Sequence, residues 1–232
     1  MRETEDFVIL KPYVPSEKEQ KAIDELKVSG LLPKDWNSQK KGIVSFKQNI
    51  KDYLLDEQNS YCAYCRNKLN EGCDSIQRDH IVPKVLHPSW IFEPRNICLT
   101  CYKCNIYKKD KEVLVNSAIS TYPIDSNSFK ILNPYIDTYS EHIRILNDLV
   151  YIGLTNKGRF TINICKLTRI ELVLNNAKQK MERDNPNSVY TLLLSSLDKT
   201  EISQKEKNEI IERMGNIVQK YKRVVGVFVN EE

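Results

Sequence analysis

Two Cys-x-x-Cys pairs, Cys62–Cys65 in CAYC and Cys101–Cys104 in CYKC, bracket the stretch RDHIVPK, which carries Asp79 and His80. A spacing of two intervening residues lets both thiols of a pair reach one ion from a single tight turn. Two such pairs supply the four soft ligands of a tetrahedral zinc site. The run CLTCYKC also allows Cys98 with Cys101 as the second pair; the alternation of Cys98 with Ile97 and Leu99 in an apolar stretch favours Cys101 with Cys104. Zinc held by four thiolates has no open coordination position, so such an ion is scaffold and cannot activate water. Chemistry has to come from Asp79, His80 and Asn105, the residue directly after the last cysteine. A carboxylate and an amide oxygen are hard ligands suited to Mg2+ or Mn2+. A neutral imidazole can take a proton from water. On a regular strand His80 points away from Asp79, and Pro83 marks where that strand ends and bends. A divalent ion on one side of a phosphate and a base on the other is the arrangement that phosphodiester hydrolysis needs.

These residues need elements to position them. PSEKEQKAIDELK (15–27) and IVSFKQNIKDYLLDEQ (43–58) have helical spacing, the second with Ile43, Phe46, Ile50, Tyr53 and Leu54 along one face. SIQRDHIVP and RNICLT read as short strands, and CYKCNIYKKDKEVL starts a helix. Further on, FKILNPYI and DLVYIGLTNKGRFTINI read as strand-like, with TNKG as a hairpin turn. Helical stretches follow at 167–183, 187–197 and 201–223, the first two separated by DNPNS. The organisation expected is an N-terminal helical region (1–60), a cysteine-rich module (61–115) and a C-terminal hairpin and helical region (116–232) with a possible role in partner docking.

Composition bounds the class. The 232 residues are 41% hydrophobic and 28% charged, ordinary values for a soluble globular protein and too apolar for disorder. No apolar run reaches bilayer length, and MRETEDFVIL lacks the features of a secretory signal, so no membrane role and a cytoplasmic location are expected. In a reducing compartment seven cysteines point to metal ligation before disulfides; Cys73, Cys98 and Cys165 remain outside the pairs, the last two in apolar surroundings. Net charge is +4, and residues 61–115 are the most basic part, with nine Lys/Arg against six Asp/Glu. That balance suits an anionic partner without naming one. Among the lysines near the last cysteine pair, Lys103, Lys108 and Lys109 are candidate nucleic-acid contacts. His87, a rival base, and His142 read as surface or satisfied core residues, and Trp36 and Trp90 as packing anchors.

The pattern CAYC…RDHIVPK…PRNICLTCYKCNIYK resembles the HNH endonucleases, the ββα-metal nuclease class, in their four-cysteine zinc form. The resemblance covers roughly residues 61–109. It implies an α+β fold in which a zinc-stapled ββα-metal module is flanked by N-terminal helices and a C-terminal β-hairpin plus helical region. It implies His80 as general base, Asp79 and Asn105 as ligands of the catalytic Mg2+ or Mn2+, and Asn96 as a buried side chain holding the loop that carries His80. Lys108 matches a common family lysine. Downstream, ILNPYIDTYSEHI and FTINICKLTRIEL are similar to the HNH subunit of Septu and retron-type anti-phage systems, a likeness that implies an ABC-type ATPase partner and DNA, or RNA, as substrate. The competing reading is a non-catalytic zinc module that binds nucleic acid or protein; Asp79, His80 and Asn105 separate the two, because a purely structural module has no need of them.

Overall fold

The computed structural model describes residues 7–69 and 76–229, and Cys73 lies outside them. Helix α1 (Glu17–Lys27) opens at Ser16, whose backbone N–H donates to the Glu19 carboxylate. Glu19 is buried and also accepts from Tyr13 Oη, Ser45 Oγ and Asn49 Nδ2, so one acid ties α1 to helix α2 (Lys41–Glu57). Ile43, Phe46, Ile50 and Leu54 form the buried face of α2, a spacing that keeps all four on one side of the helix.

Just past α2, Gln58 is fully buried and behaves like a missing strand. Its amide accepts from Leu99 N (2.7 Å) and donates to Leu99 O and Tyr61 O (both 2.8 Å). These bonds satisfy the outer edge of strand β2 (Ile97–Thr100), which pairs on its other side with antiparallel β1 (Gln77–His80) in the register Asp79↔Cys98 and His80↔Ile97. Helix α3 (Tyr102–Lys108) follows β2 at once, so the cysteine region has the order strand, strand, helix.

The segment FKILNPYI is not a strand. Phe129 makes only an isolated bridge with Leu114, Ile131 and Leu132 are buried, and the Asn133 side chain turns the chain by accepting from Tyr135 N. After the short helix α4 (Tyr139–His142), a hairpin does form, but not at TNKG. Strands β3 (Ile143–Leu146) and β4 (Val150–Gly153) are joined through Asn147 and Asp148, both with left-handed backbone (φ 54° and 60°). Asn and Asp tolerate that region, and two consecutive left-handed residues match the twist of the strands. In TNKG, Thr155 caps helix α5 (Asn156–Ile164) by accepting from Gly158 N. The glycine is there for space: a Cβ at Gly158 would run into the His142 carbonyl.

Helices α6 (Ile170–Met181), α7 (Pro186–Leu197) and α8 (Gln204–Val229) lie close to the expected spans. They share a second core in which Val173, Ala177, Val189, Leu193, Ile210 and Met214 meet Leu149 and Val150 of the hairpin. The other core runs from Phe7 through α2, the cysteine region and α5 to Leu172. The chain is therefore α+β, with two small antiparallel sheets among helices. Among the described residues no helix is long and apolar enough to cross a membrane.

Gly→Ala inside a helix ordinarily stabilises. Gly158→Ala is expected to do the reverse, by about 1–3 kcal/mol of overpacking, seen as a lower denaturation midpoint at unchanged slope.

Candidate functional site

Cys62, Cys65, Cys101 and Cys104 converge. Their Sγ atoms all lie within 4.8 Å of one another and every one of the four is buried. The Cys65 and Cys101 sulfurs are 3.9 Å apart, far beyond a disulfide bond. Four Zn–S bonds in a tetrahedron put sulfurs about 3.8 Å apart, so the cluster is the size a zinc ion requires. Cys98 stands outside it, its sulfur 3.9 Å from Tyr64 Oη.

The local backbone explains the convergence. The first pair turns back on itself through Arg66, whose left-handed φ of 51° lets its N–H reach Cys62 O, while Ala63 N donates to Leu99 O and so hooks the turn onto β2. The second pair straddles the start of α3, with Cys101 as its N-cap. Arg169 reaches across from the start of α6 and sets both terminal nitrogens 3.9–4.0 Å from Cys104 Sγ, where a guanidinium stabilises a thiolate. Hydrogen bonds from the other thiols hold Cys101 far below the usual thiol range, burial pushes Cys62 up, and hydrogen bonding to Cys101 pushes Cys104 up. A dication bound among the four sulfurs would favour the thiolate form of all of them.

Asp79 and His80 are neighbours that face opposite sides of β1. The Asp79 carboxylate is buried and doubly held: Tyr64 Oη donates to Oδ2 and Lys108 Nζ to Oδ1, each at 3.0 Å. Tyr64 lies between the first two cysteines, and Lys108 is one turn beyond the last. Burial pushes the Asp79 carboxyl above its usual range, and Lys108 and Tyr64 pull it part of the way back. Lys108 also donates to the His80 carbonyl at 2.7 Å and is 0% exposed. It cannot meet a nucleic-acid backbone, which corrects the expectation from sequence. An ammonium on the last turn of α3 is drawn inward because the buried carboxylate is its partner. Lys103 and Lys109 are exposed, and Asn105 is half-buried three residues before Lys108, on the same side of α3.

His80 is 6% exposed, with the Trp36 ring edge-on at 4.5 Å and Nε2 2.9 Å from Ile91 O. A carbonyl only accepts, so Nε2 carries the hydrogen and Nδ1 is left with its lone pair. Burial, reinforced by Lys84 and Lys108, lowers the His80 pKa to about 3 against the pull of the Ile91 bond, so the ring is neutral. Asn96, fully buried, braces the loop after His80: Oδ1 accepts from Val82 N (2.7 Å), and Nδ2 donates to Val82 O (3.1 Å) and Trp90 O (3.2 Å). The His87 ring stacks on Trp90 with centroids 4.1 Å apart, which gives it a packing role. Sequence reasoning missed Tyr64, Gln58 and Arg169. Of these only Tyr64 carried a signal, its place between two ligands.

Fold and site define an α+β protein built on a buried cluster of four cysteines that could hold a metal ion. Over 125 residues the chain is 30% identical to the Septu protein PtuB of Bacillus thuringiensis; the match covers 54% of this chain and 43% of that protein, so the chain spans less than half the length of this relative. No family model matches the chain, and no solved structure does.

Purified protein is expected to contain one zinc per chain, and Cys104→Ser to lose it together with the cooperative thermal transition, as metal analysis and calorimetry will show. Asn96→Ala leaves Val82 N, Val82 O and Trp90 O without partners and is expected to cost about 2–4 kcal/mol, measured by denaturant unfolding with zinc content unchanged.

Proposed function

We propose that the chain is a metal-dependent HNH endonuclease of the ββα-metal class that hydrolyses phosphodiester bonds, with DNA as the substrate. The observation that carries this reading is His80: a neutral ring with Nε2–H committed to Ile91 O and Nδ1 unprotonated, on a loop braced by Asn96. The order β1, β2, α3 around the cysteine cluster supports it. In the proposed reaction Nδ1 of His80 takes the proton of an attacking water, the water oxygen bonds to phosphorus, and the 3′ oxygen leaves. Asp79 and Asn105 would hold Mg2+ or Mn2+: each Asp79 oxygen keeps a lone pair beyond its one hydrogen bond, and a carboxylate with an amide oxygen is a donor set of the kind a hard cation takes. When bound, that ion supplies Lewis-acid stabilisation of the phosphorane charge and the departing oxygen. Zinc at the four cysteines serves as scaffold. Lys103 and Lys109, exposed on and just after α3, are the proposed phosphate contacts.

Likeness to a Septu protein supports a role in anti-phage defence. We assign residues 61–115 as the nuclease module, 1–60 as its supporting helices, and 116–232 as the region that docks an ABC-type ATPase partner in the cytoplasm.

The test is cleavage of supercoiled plasmid by the purified chain with Mg2+ or Mn2+, alone and with an ABC-type ATPase of a Septu system added. Cleavage that EDTA stops and that His80→Ala lowers at least about 100-fold is the expected result. Absence of cleavage under both conditions, with zinc still stoichiometric, overturns the nuclease reading in favour of a zinc module that only binds.

A further inference from the structure

Lys108 is an unusual cation. Its whole side chain is out of solvent, its ammonium lies 3.0 Å from Asp79 Oδ1 and 2.7 Å from the His80 carbonyl, and its helix is pinned at the other end by Cys101 and Cys104. It cannot swing into water without separating α3 from β1. A fixed positive charge therefore sits against the carboxylate that the nuclease reading assigns to the divalent ion. Lys84, in the turn after His80, adds a second positive field on both Asp79 and His80. Such a site repels a dication until negative charge arrives, because like charges a few ångströms apart in a poorly hydrated interior interact strongly.

We propose that Lys108 is a positioning residue that keeps Asp79 a weak metal ligand in the free protein, so that the divalent ion binds only together with a phosphodiester. The inference rests on the nuclease reading. A phosphodiester brings the anionic charge that the pair Asp79–Lys108 lacks, and ion and substrate then stabilise each other. Ion and substrate binding are coupled reciprocally: whatever factor the phosphodiester gains for the ion, the ion gains for the phosphodiester.

The experiment is Mn2+ binding followed by electron paramagnetic resonance, with zinc content and melting recorded for each variant. Lys108→Met keeps the length of the side chain and removes the charge; Lys108→Gln removes the charge and retains an amide donor should the methionine variant lose zinc. Both are expected to bind Mn2+ at least about tenfold more tightly than the wild type without nucleic acid, and Asp79→Asn added to either is expected to cancel the gain. A structural role alone would leave affinity unchanged or weaken it. In wild-type protein, which needs no substitution to fold, a thymidine dinucleotide is expected to tighten Mn2+ binding by a similar factor. Equal affinities across Lys108 variants, or no effect of the dinucleotide, overturn the proposal while His80-dependent plasmid cleavage persists. Absence of Mn2+ binding in every protein, together with absence of cleavage, overturns the nuclease reading and this inference with it.

Discussion

Asp79 is the point where the two cysteine pairs meet. Tyr64 comes to it from inside the first pair and Lys108 from one turn past the second, so a ring of covalent and hydrogen bonds runs from the sulfur cluster through both arms to one carboxylate. Each part depends on the others. Without the cluster, nothing brings Tyr64 and Lys108 to the same buried acid; without Lys108, the acid is an uncompensated charge in the interior, the costly case for buried ion pairs. His80 inherits its position from this ring, being the next residue on the strand and bonded through its own carbonyl to the same ammonium.

Charge balance around the sulfurs follows the same logic. Four thiolates on a dication leave a net negative cluster, and two arginines answer it. Arg169 aims its guanidinium at Cys104, and Arg66, almost wholly buried, lies 3.6 Å over the Phe7 ring with Nε and Nη1 lacking hydrogen-bond partners. Burial weakens the Arg66 charge, while the field of Tyr139, Cys62 and Cys65 and the Phe7 face favour it. Arg66 comes from within the cysteine region and Arg169 from the start of a helix far along the chain, so the cluster joins the module to the C-terminal part.

Much of the site was legible because its signals are short-range. The cysteine spacing, the strand endings at His80 and Thr100, and the helix after Cys101 all follow from residues within a few positions of each other. The hairpin was misplaced because Gly158 carries two meanings: a glycine after Asn-Lys suits a turn, yet here it clears the His142 carbonyl inside a helix, while the true turn at Asn147-Asp148 has no glycine at all. The burial of Lys108 was not legible either, because its direction is set by Asp79 twenty-nine residues earlier and not by the pattern of its own helix. Gln58, acting as a strand edge for β2 across forty-one residues, left no mark in local sequence for the same reason.

The oxygens of the first cysteine turn have their own schedule. Tyr64 O accepts from Tyr139 Oη and Cys65 O from Tyr151 Oη, partners 75 and 86 residues later, and Cys104 waits for Arg169. A chain emerging from the ribosome therefore exposes both cysteine pairs and His80 well before the side chains that close over them exist. The cysteine cluster and the strand end beside it reach their finished form only when most of the chain has been synthesised, which makes the C-terminal part a structural component of the module it closes over.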